Sequence, residues 1–174
     1  MANIDLTQIP SFYQNYVRLV PEGSLKELFE KHQTNMISYL KEVPEDKWNY
    51  RYAEGKWTIK EMVQHIIDAE RIFTYRALRF ARKDSTPLPG FEENEYAAAS
   101  KADKRTINDL IEELSAVQKS TSFLYDSFDD EQLDQTGTAN NNKISVRNLG
   151  YILIGHTLHH KKILQERYLG DFRF

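Results

Sequence analysis

Four stretches of this chain repeat apolar residues at helical spacing over about 18 to 24 residues each, and a side chain able to cap a helix stands before each one. The first is expected from Leu25 to Glu42, with Ser24 as N-cap and Glu27 three residues later to complete a capping box. The second, from Ile59 to Arg82, opens with the same box at Thr58 and Glu61 and stops at Asp84, Pro87, Pro89 and Gly90. The third runs from Lys104 to Ser127 behind Asp103 or Thr106, and the fourth from Val146 to Leu169 behind Ser145, with Gly170 as its stop. Each stripe needs a partner surface, and a four-helix bundle buries all four at once.

The remaining segments fit that reading. Pro10 to Val20 has room for a short extra helix. PEDKWNYRYAEGKW, between the first two long helices, reads as irregular and aromatic, and 84–101 as a long connection with two prolines. GTANNNK, 137–143, reads as a polar turn, and no alternating strand pattern, internal repeat or low-complexity segment is present. Up-down-up-down bundles use short loops, so the two long connections leave room for a non-sequential order of helices.

Composition narrows the class. Seven Gly and five Pro in 174 residues argue against a turn-rich β protein, and 28% charged against 40% apolar residues places the chain among ordinary globular proteins, with 1–174 expected as a single helical domain. A net charge of −3 gives no basic surface for nucleic acid, and KADKR at 101–105 reads as a solvated helix start. The absence of cysteine excludes disulfides, Cys-ligated zinc and a Cys nucleophile, and agrees with a cytoplasmic location. The opening MANIDLTQIPSFYQ lacks a signal-peptide pattern, and no apolar run approaches the ~18 residues of a membrane span. A soluble protein is therefore expected.

Chemistry concentrates on histidine. The last long helix carries GHTLHH, 155–160. Its apolar stripe holds Val146, Leu149, Leu153, Ile163 and Leu164; at 100° per residue His160 falls near the centre, His156 within about 40° of it, and His159 about 100° away. His156 and His160, four apart, lie one above the other and can reach one ion. In the second helix, whose stripe holds Ile59, Met62, Ile66, Ala69, Phe73, Ala77 and Phe80, His65 lies on the edge and faces a neighbouring helix, for which the fourth is a candidate. Packed core histidines remain the alternative, but two buried imidazoles without partners cost roughly 1–3 kcal/mol per unpaired group, and a metal ion satisfies a nitrogen of each. His32 reads as a surface or packing residue. Glu70 reads as an exposed helix charge, although a di-iron carboxylate site would use such a residue; no helix carries the Glu-x-x-His spacing of di-iron bundles. Asp68 is a candidate to accept from a ligand's free N–H.

The segments KWTIKEMVQHIIDAERIFTYRALRFAR, PLPGFEENEY and ISVRNLGYILIGHTLHHKKILQERYL span most of 56–169 and resemble the DinB/YfiT-like superfamily of metal-dependent enzymes. The likeness is carried by His-x-x-His-His late in the last long helix and one His early in the second. It implies a bundle with an unusual helix order, a divalent metal on His65, His156 and His160, and frequent homodimers. Relatives include transferases of low-molecular-weight thiols such as bacillithiol, mycothiol or glutathione, one maleylpyruvate isomerase, and many of no known activity.

Three neutral imidazoles with open positions describe a catalytic metal site, suited to zinc or nickel. The expectation is a metal-dependent enzyme of the thiol S-transferase or hydrolase type acting on a small molecule; the rival is a non-catalytic metal-binding stress or accessory protein. Arg76 and Arg79 follow His65 on roughly one side of the helix, where an Arg can grip a carboxylate or phosphate, although an ion pair between helices is the plainer role. Tyr96 lies where it can line the site mouth or simply pack, and Lys161 and Lys162 read as solvated. No G-x-S-x-G element supports Ser/His/Asp catalysis.

Overall fold

The structure, a computed structural model, describes residues 4–170. Its helices are α1 (Ser11–Val17), α2 (Leu25–Lys41), α3 (Ile59–Ala81), α4 (Glu93–Ala99), α5 (Ile107–Asp126), α6 (Asp130–Asp134) and α7 (Val146–Ile163), with strands β1 (Thr136–Ala139) and β2 (Asn142–Ser145) between α6 and α7. The four expected long helices are α2, α3, α5 and α7. Both expected capping boxes form: Ser24 Oγ accepts from Glu27 N while Glu27 accepts from Ser24 N, and Thr58 and Glu61 do the same. At α5 the cap is Thr106, paired with Asp109; residues 102–104 make a separate 3-10 turn behind the left-handed Lys101. The last helix stays α-helical to Ile163 and widens into a π-helical turn over Leu164–Tyr168.

The helix order is non-sequential. α2 packs on α5 and α7, and α3 packs on α5 and α7, so α2 sits across the bundle from α3, its successor among the long helices, and α5 sits across from α7. α1, the short helix expected within 10–20, lies against α7. The apolar interior falls into two regions. One gathers Phe29, Phe73, Phe80, Leu149 and Leu153, and the other Met36, Trp48, Ile66, Leu110 and Leu164.

Two connections carry more structure than expected. The segment 137–143 is a β-hairpin rather than only a turn: Thr136 pairs with Ser145 and Ala139 with Asn142. Asn140 (φ 48°) and Asn141 (φ 59°) supply the two left-handed residues of the tight turn, a conformation Asn tolerates better than other non-glycine residues. Each strand buries a single residue, Ala139 or Ile144, too little to register as alternation. The Leu88 amide donates to Thr138 and its carbonyl accepts from Asn140, which ties the long connection to the hairpin, and α4 then follows inside that connection.

Candidate metal centre

The packing of α3 along α7 brings together the three histidines expected to meet. His65 Nε2 lies 2.9 Å from His156 Nε2, which lies 3.0 Å from His160 Nε2. All three side chains are buried, and each offers a ligand atom within 4.8 Å of the others. Trp57 covers the group from the segment before α3, its ring 4.7 Å from that of His65 and stacked 6.4 Å from that of His160. Tyr16 of α1 packs edge-on to His156 at 5.5 Å and also meets His159, which stays half-buried outside the trio.

Burial pushes the His65 imidazolium down to about 4, and it holds His156 and His160 well below the usual histidine range, helped by the neighbouring rings. The rings are therefore neutral near pH 7. Neutral imidazoles cannot satisfy one another in this arrangement. His156 Nε2 faces two partners but owns one lone pair or one proton. The Nδ1 atoms of His65 and His160 are buried without a hydrogen-bond partner among the described residues. The donor set does fit a cation: Zn–N bonds of about 2.0–2.1 Å put ligand nitrogens about 3.3 Å apart in a tetrahedron. Two of the three spacings already lie within a few tenths of that.

A cavity of about 380 Å³ opens beside the histidines, within the range of small-molecule sites. Its walls include Tyr13 and Tyr16 of α1, Trp57, Phe73 and Arg76 of α3, and Glu93 at the start of α4. The charge of Glu93 acts on His65, Tyr13 and Tyr16. Sequence reasoning missed Trp57, Tyr13, Tyr16 and Glu93. The tyrosines carried a weak signal, being three apart and so on one face of a short helix; Trp57 and Glu93 stand at helix starts where periodicity is silent.

The other expected positions fall elsewhere. Asp68 accepts from Gln64 at 3.0 Å and makes no hydrogen bond to the three rings. Arg79 forms an ion pair, not between helices but with Asp84, just past the end of its own helix. Tyr96 is exposed and packs on Phe91 outside the cavity wall. Lys162 pairs with Glu166 at 3.7 Å, and Lys161 lies over the Tyr39 ring.

Glu70 corrects an expectation. It is buried, not exposed, because α3 is covered on two sides, by α7 and by α5, so its buried face exceeds the apolar stripe. Burial pushes its carboxyl up to about 7, opposed by a hydrogen bond with Thr121. The folded protein thus keeps a proton on Glu70 that the unfolded chain, near 4.5, has released, and the contribution of Glu70 to stability falls as pH rises through 4.5–7. Glu70→Gln keeps the shape without the charge. It is expected to raise stability by about 3 kcal/mol at pH 8 and to leave it unchanged at pH 4, read from denaturation midpoints at the two pH values.

Comparison with known proteins agrees with this architecture. The sequence matches the family description of the DinB superfamily over residues 28–164, a span that contains all three histidines. A protein of Oceanobacillus iheyensis named "Putative metal-dependent hydrolase" is 26% identical over 133 residues, covering 75% of this chain and 76% of its own. The solved structure of YfiT from Bacillus subtilis, which has an unusual four-helix bundle topology, superposes with a TM-score of 0.65 at 15% identity, over 91% of this chain and 87% of that one. No described helix is long and apolar enough to cross a membrane. A family match that runs from within α2 to the end of α7, on a bundle with this helix order, identifies the chain as a member of the DinB superfamily.

Proposed function

We propose that this protein is a divalent-metal-dependent enzyme acting on a small molecule held in the cavity beside His65, His156 and His160. The observation that carries the reading is the convergence of three buried, neutral imidazole nitrogens on one point at a cavity wall. The Oceanobacillus relative and YfiT are both described as metal-dependent hydrolases, which supports the same reading. His65, His156 and His160 would hold the ion, with zinc or nickel best suited to imidazole. When bound, the ion supplies Lewis-acid polarisation and lowers the pKa of a nucleophile, water or thiol.

The chain's own groups divide the remaining tasks. Trp57 and Tyr16 cover the rings and exclude bulk water from one side. Glu93, a carboxylate at the cavity wall, is placed to accept a proton from an incoming nucleophile. With no cysteine in the sequence, a thiol nucleophile must arrive as a second substrate, so hydrolysis and transfer of a low-molecular-weight thiol are the two reaction classes.

Metal analysis of protein purified without a histidine tag is expected to find one zinc or nickel ion per chain. Chelation should remove it and lower the melting temperature. At free metal 100 to 1,000 times Kd, the lost stabilisation is about 2.7–4.1 kcal/mol. The loaded and stripped forms are then offered bacillithiol or glutathione with an electrophile and, separately, simple esters and amides. Metal-dependent turnover in either arm supports the enzyme. Full metal content without turnover in both arms leaves a metal-binding protein that is not one.

A further inference from the structure

Arg76 is the most buried charged group in the cavity wall. It follows His65 by eleven residues, three turns plus about 20°, so the two share a face of α3 about 16 Å apart along its axis. Only 3% of Arg76 is exposed. Its Nη2 donates to the Pro89 carbonyl at 2.7 Å, its guanidinium lies 5.2 Å over the Phe73 ring, and it sits beside the Tyr13 hydroxyl. No carboxylate among the described residues forms an ion pair with it.

That arrangement is unusual within this chain. The more exposed Arg51, Arg71, Arg79, Arg105 and Arg147 all pair with carboxylates, where solvent makes pairing least necessary. A guanidinium keeps its charge even when buried, and burying it unpaired costs several kcal/mol. One carbonyl, one phenol and an aromatic face leave donors of its five N–H groups unused. Glu92 and Glu93 line the same cavity, yet neither forms an ion pair with Arg76; the charge of Glu93 acts instead on Tyr13, Tyr16 and His65. Fold stability does not explain a lone cation held at a cavity wall. A ligand oxyanion does.

We propose that Arg76 binds an anionic group of the substrate, a carboxylate or a phosphate, while the reacting end of that molecule lies at the three histidines. This rests on the reading of the cavity as the catalytic site. The planar fork of Arg76 matches two oxygens of such a group, and Arg76 and His65 line the same cavity, so one molecule can reach both.

The test is calorimetric titration of succinate, inorganic phosphate and the neutral control succinamide into the native protein, Arg76→Gln and Arg76→Lys. Each protein is used both zinc-loaded and metal-stripped, and metal content is measured on the same samples. Native protein is expected to bind succinate or phosphate but not succinamide, and which of the two binds identifies the anion. Arg76→Gln should weaken that binding at least tenfold in loaded and stripped protein alike, and Arg76→Lys should recover part of it. Metal content should be equal in all three. Equal affinity in native protein and Arg76→Gln, or no anion binding by native protein, overturns the proposal. If Arg76→Gln does not fold, Arg76→Lys decides: it keeps the charge but not the fork, so undiminished anion affinity overturns the proposal and weakened affinity supports it. A native protein that binds no metal but still loses anion binding in Arg76→Gln would sink the metal-enzyme reading and leave the Arg76 site standing.

Discussion

His156→Ala is expected to strip the protein of stoichiometric metal, with affinity reduced by more than about a hundredfold. The factor follows from position. His156 Nε2 is the shared neighbour, 2.9 Å from the His65 nitrogen and 3.0 Å from that of His160. Removing a group that merely orients a ligand costs about 10–100-fold in metal affinity, so removing the central ligand should cost more. The matching control is His159→Ala, since His159 lies outside the trio, and it should keep its metal. The measurement is elemental analysis together with melting temperature before and after chelation. Chelation should shift the native protein and His159→Ala but not His156→Ala. The metal-free protein adds a second reading. Its buried rings resist protons that the unfolded chain accepts from near pH 6.5, so the unfolded state binds more protons between that value and the depressed folded one, which for His65 is about 4. The histidines' contribution to the stability of the stripped protein therefore rises with pH across about 4–6.5 and levels off above it, opposite in sign to that of Glu70. His156→Ala should flatten that rise. Full metal retention by His156→Ala would remove the ligand assignment.

The cluster of three histidines was legible in the sequence because helices convert spacing into direction. Rotation by 100° per residue separates His156 and His160 from His159 before any coordinates exist. The edge position of His65 left one question, which neighbour it faces, and the packing of α3 on α7 answers it. The cavity was not legible in the same way. Trp57 and Glu93 reach it from helix starts, and Tyr13 and Tyr16 from a seven-residue helix, where position depends on tertiary contacts and not on a repeat. The hairpin escaped notice for a related reason, with one buried residue in each strand. Glu70 shows the opposite failure. The apolar stripe marks where a helix must be buried, not where burial ends, and a carboxyl that can hold its proton is able to enter an interface between α3 and α5. Arg76 could be placed on the right side of its helix, but that it lies buried and without a carboxylate partner among the described residues required the surrounding atoms.

Gly155→Ala separates the two parts of the candidate site, the three histidines and the walls. In an exposed helix Ala would be favoured over Gly by about 1 kcal/mol. At Gly155 the opposite is expected. A Cβ there would lie 2.5 Å from the Tyr16 carbonyl carbon and 3.1 Å from the Val17 nitrogen, and both are backbone atoms with no rotamer to yield. Gly150 makes the contrast, since its Cβ would meet side chains of Tyr125 and Leu25 that can shift. Overpacking of this kind costs about 1–3 kcal/mol, and at the upper end the melting temperature of a chain this size falls by roughly 6–12 °C. The element that must move is α1, seven residues long, and not α7, which is packed by α2 and α3. Displacing α1 withdraws Tyr13 and Tyr16 from the cavity while leaving His65, His156 and His160 on their own helices. Gly155→Ala should therefore keep its metal and melt lower. In the stripped protein His156 should also react faster with diethyl pyrocarbonate, because the Tyr16 ring no longer shields it. Unchanged melting and unchanged reactivity would mean that α1 does not press on α7 at this point. Loss of metal would mean that the wall and the ligands form one unit, and the cavity could then not be altered without dismantling the centre.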